Sequence, residues 1–167
     1  MSDAKGNTAG AMVSPEHLST ICVIHERLSK SSIIWVVTGS LAFALRGMDV
    51  VVHDIDLQSD REGAYEIERL LHEFVVEPVR FSSTAAIRSH LGALSVHGVR
   101  VEIMGDIEKW TAGACWEPPV ELERPREWVT AHGMDIPVLS LEHESRAYRT
   151  LGRVDQADRL KRWMAEA

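Results

Sequence analysis

Cysteine is nearly absent. Cys22 and Cys115 are the only two in 167 residues, and they stand far apart in no CxxC arrangement. A disulfide framework and a cysteine-built zinc site are thereby excluded, and the cytoplasm is the expected compartment. No window approaches the roughly 18 apolar residues that a bilayer span requires, so no membrane partner is expected. Met1 to Val13 is small and polar with a single lysine, lacks the apolar core of a signal peptide, and reads as a loose tail. Positive charge is also short: 18 Lys and Arg against 25 Asp and Glu leave a net charge of −7. A chain with no overall basic field is poorly suited to nucleic acid, which makes DNA or RNA a disfavoured substrate. What is present, 45% hydrophobic and 26% charged residues, is ordinary for one soluble globular domain able to bury a core.

The informative stretch runs from Ile33 to Leu57, IIWVVTGSLAFALRGMDVVVHDIDL. A β-branched run, Ile33 to Thr38, meets Gly39-Ser40, a short Leu- and Ala-rich helix spans Ser40 to Arg46, and Gly47-Met48-Asp49 turns the chain. A second strand follows from Val50 through His53-Asp54-Ile55-Asp56-Leu57. Alternate strand residues share a face, so Asp54 and Asp56 line one side while Ile55 and Leu57 line the other. Two carboxylates that close repel unless a cation sits between them. Gly39-Ser40, where a strand feeds a helix, suits a phosphate oxygen, because glycine permits close backbone approach and helix-end amides attract anions. Magnesium favours one or two protein carboxylates plus substrate phosphates. Together these residues suit a nucleoside triphosphate and its metal. Ser40 also reads as a plain helix N-cap, and His53 is as compatible with simple exposure as with a nucleotide contact.

Gly39-Ser40 followed by Asp54-Ile55-Asp56 resembles the signature of the nucleotidyltransferase superfamily related to DNA polymerase beta. GSLAFALRG and HDIDL are most similar to its small bacterial branch, which includes lincosamide and aminoglycoside nucleotidyltransferases and the minimal nucleotidyltransferases of toxin and antitoxin pairs. The resemblance implies an α+β (α/β) fold, a mixed sheet with helices mainly on one face and a C-terminal helical segment. It implies a third acid on a neighbouring strand, for which Glu102 in Val99 to Met104 is the candidate, with Asp106 as second choice. It also implies that Asp54, Asp56 and Glu102 hold two magnesium ions, with Glu102 as general base, and that a basic residue of LSLEHESRAYRTLGRVDQAD reaches the triphosphate, Arg149 first and Arg146 second. The implied reaction moves AMP from ATP onto a hydroxyl of a small molecule such as an antibiotic. A toxin or antitoxin enzyme acting on a protein or tRNA end, and a non-catalytic nucleotide-binding relative, are the alternatives. A partner protein or a homodimer is compatible with so short a chain.

The remaining elements follow from pattern. Ser14-Pro15-Glu16 is a helix start, and apolar spacing carries that helix to about Ser29. Asp60 opens a helix with Ala64, Ile67, Leu70, Leu71 and Phe74 on one stripe. Val75 to Phe81 reads as a strand in which Pro78 marks an edge or a break, and Ser82 to Ile87 as a short helix. Leu91–Val96 and Val99–Met104 flank His97-Gly98, a hairpin signal, and Arg126–Ala131 with Met134–Leu139 flank His132-Gly133 in the same way. Trp110, Trp116 and Trp128 are expected mainly as packing residues. Ser140 caps a helix that ends at Gly152, and Asp155 starts the last one. The expected organisation is a tail over 1–13, a core over 14–139 and a helical segment over 140–167.

Overall fold

The computed structural model describes residues 13–167. Seven strands form one mixed sheet in the order β3-β4-β5-β2-β1-β7-β6. The strands are β1 (Trp35–Thr38), β2 (Ile55–Ser59), β3 (Val75–Ser83), β4 (Ile87–Val96), β5 (Val99–Lys109), β6 (Arg126–Ala131) and β7 (Met134–Leu139). The helices are α1 (Pro15–Leu28), α2 (Gly39–Leu45), α3 (Arg61–Leu70), α4 (Leu141–Thr150) and α5 (Val154–Glu166). β2 runs antiparallel to β1 and parallel to β5, which places it at the centre of the acid-bearing part of the sheet.

Periodicity explains which face is covered. Ile21, Ile24 and Leu28 of α1 and Ala64 and Ile67 of α3 are buried with Trp35, Val37, Ile55, Leu57, Val101 and Ile103, the alternate residues of β1, β2 and β5. α3 lies so close to β5 that a Cβ on Gly105 would come within 2.7 Å of the Ala64 Cβ. On the other face, Val36 packs with Leu122 and Leu139. Phe43, Met48, Leu141 and Leu160 join α2 to the C-terminal helix pair. The Ser145 hydroxyl donates to the Ala157 carbonyl at 2.9 Å and ties α4 to α5. Among the described residues, no helix is long and apolar enough to cross a membrane.

Several expectations are corrected. The acid-bearing strand begins at Ile55, not Val50: β1 ends at Thr38, opposite Asp56, so residues 50–54 have no ladder partner there, and Val51 is 73% exposed. Residues 82–87 form no helix; β3 continues to Ser83, and a tight turn follows in which the Thr84 hydroxyl accepts the amides of Ala86 and Ile87. β5 continues to Lys109, and Asp106 sits within it at φ +47°. α3 stops at Leu70, with a 3-10 turn over His72–Phe74. Of the assigned tail, residues 1–12 lie outside the described residues, and Val13 is buried in the main core. Trp110 and Trp128 are exposed rather than packed inside: Trp110 stacks edge-on against Trp116, and Arg126 lies over Trp128. Pro78 does lie on an edge strand, within the second of two register irregularities, Val75 to Glu77 and Glu77 to Arg80.

Candidate active site

Asp56 occupies the middle of a row that crosses three strands. Its neighbour on β1 is Thr38 and its neighbour on β5 is Glu102. Ile55 and Leu57 on either side of it are fully buried, and two such side chains contribute about 3–6 kcal/mol together. That burial fixes the register of β2 and turns Asp56 to the opposite face. Asp54 stands at the bend just before β2 and is exposed. Burial, and then the charges of Glu102, Asp54 and Glu144, push the Asp56 carboxyl up from 3.8 to about 7. Three neighbouring acids therefore act on the Asp56 carboxyl through space. Glu102 is shared with a cation: Arg100 Nε donates to it at 3.3 Å, while Arg100 Nη1 donates to Glu77 at 3.1 Å.

The glycine corner stands beside this ledge. Gly39 has φ +70°, and a Cβ there would come within 2.8 Å of Asp56 Oδ2, so a residue without a side chain is required on both counts. The Gly39 amide is committed: it donates to Glu144 Oε1 at 2.9 Å, and the same oxygen accepts the Thr38 hydroxyl. A phosphate at this corner would therefore rest on Ser40, which is half-buried. Glu144 is the acid that sequence reasoning missed. It is 5% exposed and its carboxyl is raised, chiefly by burial, with the Thr38 and Gly39 hydrogen bonds pulling it back. One signal was available: Glu144 falls among Leu141, Ser145 and Tyr148 on one helical stripe, an acid in an inward face. Tyr148, half-buried on that stripe, tilts against Phe43 at 6.4 Å, and burial followed by the charge of Glu144 pushes its hydroxyl up to about 12.

The remaining candidates fall in three places. Arg146 and Arg149, both exposed on α4, line a cleft of about 570 Å³ with Lys109, Thr111, Glu117 and His143. Arg149 is paired with Asp158 at 2.5 Å. Lys109, a second residue missed from the sequence, reaches the cleft only because β5 runs past Met104. His53 is exposed, and its carbonyl accepts from His17 Nε2 at 2.6 Å. Asp106 lines a separate hollow of about 410 Å³ with Asp60, Glu121 and Glu123, and so is not brought to the ledge.

The donor chemistry fits magnesium. The ledge offers hard carboxylate oxygens, and like-charge crowding at Asp56 is relieved by a cation. Among the described residues no three His, Cys, Asp or Glu side chains are close enough to hold a metal by themselves. Magnesium draws one or two ligands from protein and the rest from phosphates and water.

Comparison with known proteins extends this geometry. The model of the aminoglycoside-2''-adenylyltransferase family matches residues 20–165. The solved structure of TM1012, a candidate nucleotidyltransferase from Thermotoga maritima, is 54% identical, with a TM-score of 0.82 over 93% of this chain and 97% of that one. The lincosamide antibiotic adenylyltransferase LnuA, solved with lincomycin, is 12% identical, with a TM-score of 0.53 over 89% of this chain and 98% of that one. ANT(2'')-Ia, solved with adenylyl-2''-tobramycin, is 12% identical, with a TM-score of 0.52 over 89% and 95%. The last two likenesses bear on the fold alone. No curated protein sequence matches the chain.

Proposed function

The chain belongs to the aminoglycoside-2''-adenylyltransferase family of nucleotidyltransferases, and from that premise we propose that it transfers AMP from ATP to a hydroxyl of a small molecule, such as an antibiotic, in a magnesium-dependent reaction. The supporting observation is the crowding at Asp56, where Asp54 and Glu102 bear on a half-buried carboxyl that stands against a side-chain-free glycine corner. Asp54 and Asp56, with Glu102, are the residues that would hold two magnesium ions. Bound there, the metal would supply charge neutralisation and Lewis acidity to the phosphates.

The protein's own groups do the rest. The Ser40 hydroxyl and amide orient a phosphate at the corner, with His53 beside the acids as a further nucleotide contact. Arg149 and Arg146 on α4 offset negative charge on the leaving pyrophosphate. For Arg149 this requires exchange of its exposed Asp158 partner, a contact worth little in water. Glu102 takes the proton of the acceptor hydroxyl as its oxygen bonds to the α-phosphorus.

Radiolabelled ATP incubated with the protein, magnesium and a panel of aminoglycosides and lincosamides is expected to yield an AMP-labelled acceptor and pyrophosphate. Asp54→Asn and Asp56→Asn are expected to abolish labelling while circular dichroism stays unchanged. Full activity in the double variant refutes the assignment.

A further inference from the structure

The C-terminal helical segment meets the glycine corner through a single buried acid. Glu144 Oε1 accepts both the Thr38 hydroxyl and the Gly39 amide, the latter at 2.9 Å. Packing alone does not call for a carboxylate here. A leucine or methionine would fill the same space without desolvating a carboxyl, but would leave the Gly39 amide and the Thr38 hydroxyl without their acceptor. Arg46 and Lys109 favour the ionised form only through space, while the charge of Glu144 in turn adds to the crowding at Asp56. Glu144 thus carries a desolvation cost and a repulsion, and both of its hydrogen bonds go to the two residues where β1 becomes α2.

Those two residues set the site. Thr38 is the last residue of β1 and the ladder neighbour of Asp56. Gly39 is in the left-handed region, with no side chain of its own to restrain it. A shift at this turn moves Ser40 relative to Asp56. α4 has other anchors, Leu141 in the cluster with Phe43 and Leu160 and Ser145 on the Ala157 carbonyl, so it stays docked when Glu144 is changed.

We propose that Glu144 is a positioning residue: from α4 it locks the Thr38–Gly39 turn, so that Ser40 and Asp56 keep their spacing and nucleotide binding depends on the C-terminal helix. Its consequence for nucleotide binding rests on the function proposed above; the locking itself does not.

The test uses the full chain with Glu144→Ala, Glu144→Gln and Thr38→Val. Hydrogen exchange without nucleotide reports on the turn, and steady-state kinetics with magnesium and ATP report on the site. Glu144→Ala is expected to speed exchange over residues 38–41 by about tenfold, the loss of a buried hydrogen bond. It is also expected to raise KM for ATP by about tenfold with a smaller change in kcat. Glu144→Gln keeps an acceptor oxygen and is expected to restore both. Thr38→Val should be intermediate and less than additive with Glu144→Ala, as for partners in one contact. Unchanged exchange in Glu144→Ala, or Glu144→Gln as impaired as Glu144→Ala, overturns the proposal. A wild type that neither binds nor turns over ATP refutes the proposed function instead, and the exchange arm still decides whether Glu144 holds the turn.

Discussion

Replacing Asp56 with asparagine should stabilise the metal-stripped protein at alkaline pH while removing its activity. The folded carboxyl keeps its proton up to about pH 7, whereas the unfolded chain releases it near 3.8. Between these values the folded state binds more protons than the unfolded one, so stability falls as pH rises. Below about pH 4 both states are protonated and the effect is absent; above about pH 7 it is complete. A shift of this size corresponds to about 4 kcal/mol at most. Partial exposure of the ledge and mobile counter-ions reduce that to roughly half, about 2 kcal/mol. Asparagine has the same shape and no charge to bury. In a chelating buffer at pH 8, Asp56→Asn should therefore melt about 4–8 °C above wild type for a chain of this length, and the gap should close toward pH 4. Differential scanning calorimetry from pH 4 to 8 measures it. A gap that does not narrow with acidification, or a variant less stable than wild type at pH 8, refutes the reasoning: the carboxylate would then be satisfied within the protein and would have no need of a cation.

Two further outcomes follow from the same ledge and corner. A ligand held only by the folded state stabilises it by about 2.7 kcal/mol at a hundred times its Kd, so magnesium with ATP should raise the Tm of wild type and not of Asp56→Asn; equal shifts in the two proteins, read by thermal scanning, count against the site. Gly39→Ala places a methyl group at a left-handed position and 2.8 Å from Asp56 Oδ2, so it should lower stability by about 1–2 kcal/mol and depress transfer sharply, measured by denaturant melts and by labelling. Near-normal transfer in Gly39→Ala would show that Asp56 has room to move without consequence.

The division of labour between sheet and helices explains where the site's tension resides. Apolar side chains on one face of β2 fix its register, and the opposite face receives acids whose mutual repulsion that burial outweighs. The C-terminal helices add Glu144 and Tyr148 to the acidic side and His143, Arg146 and Arg149 to the cleft beside it. α4 thus presents different chemistry on adjacent faces, as helical spacing dictates: residues 144 and 148 fall on one stripe, 143, 146 and 150 on the next.

The sequence by itself determined the helix start, the hairpin turns and the strand alternation that local order carries. Pro15 and Ser14 fix the start of α1, where the Ser14 hydroxyl accepts the His17 amide. The two-residue His-Gly turns fix both hairpins, and strand alternation separates Asp56 from Ile55 and Leu57. The pairing of Asp56 with Glu102 was legible only as an implication of family likeness, since no local rule says which strands become neighbours. Tertiary structure alone decided the rest. It shortened β2 by ending β1 at Thr38, carried β5 on to Lys109, and brought Glu144 across 105 residues of chain to the Gly39 amide. The physical reason is that propensity and periodicity act over a few residues, whereas burial of a charge and the choice of its hydrogen-bond partners depend on which segments pack together. A glutamate in a helix therefore gives little sign in sequence that the folded chain will place it against the corner of a distant strand.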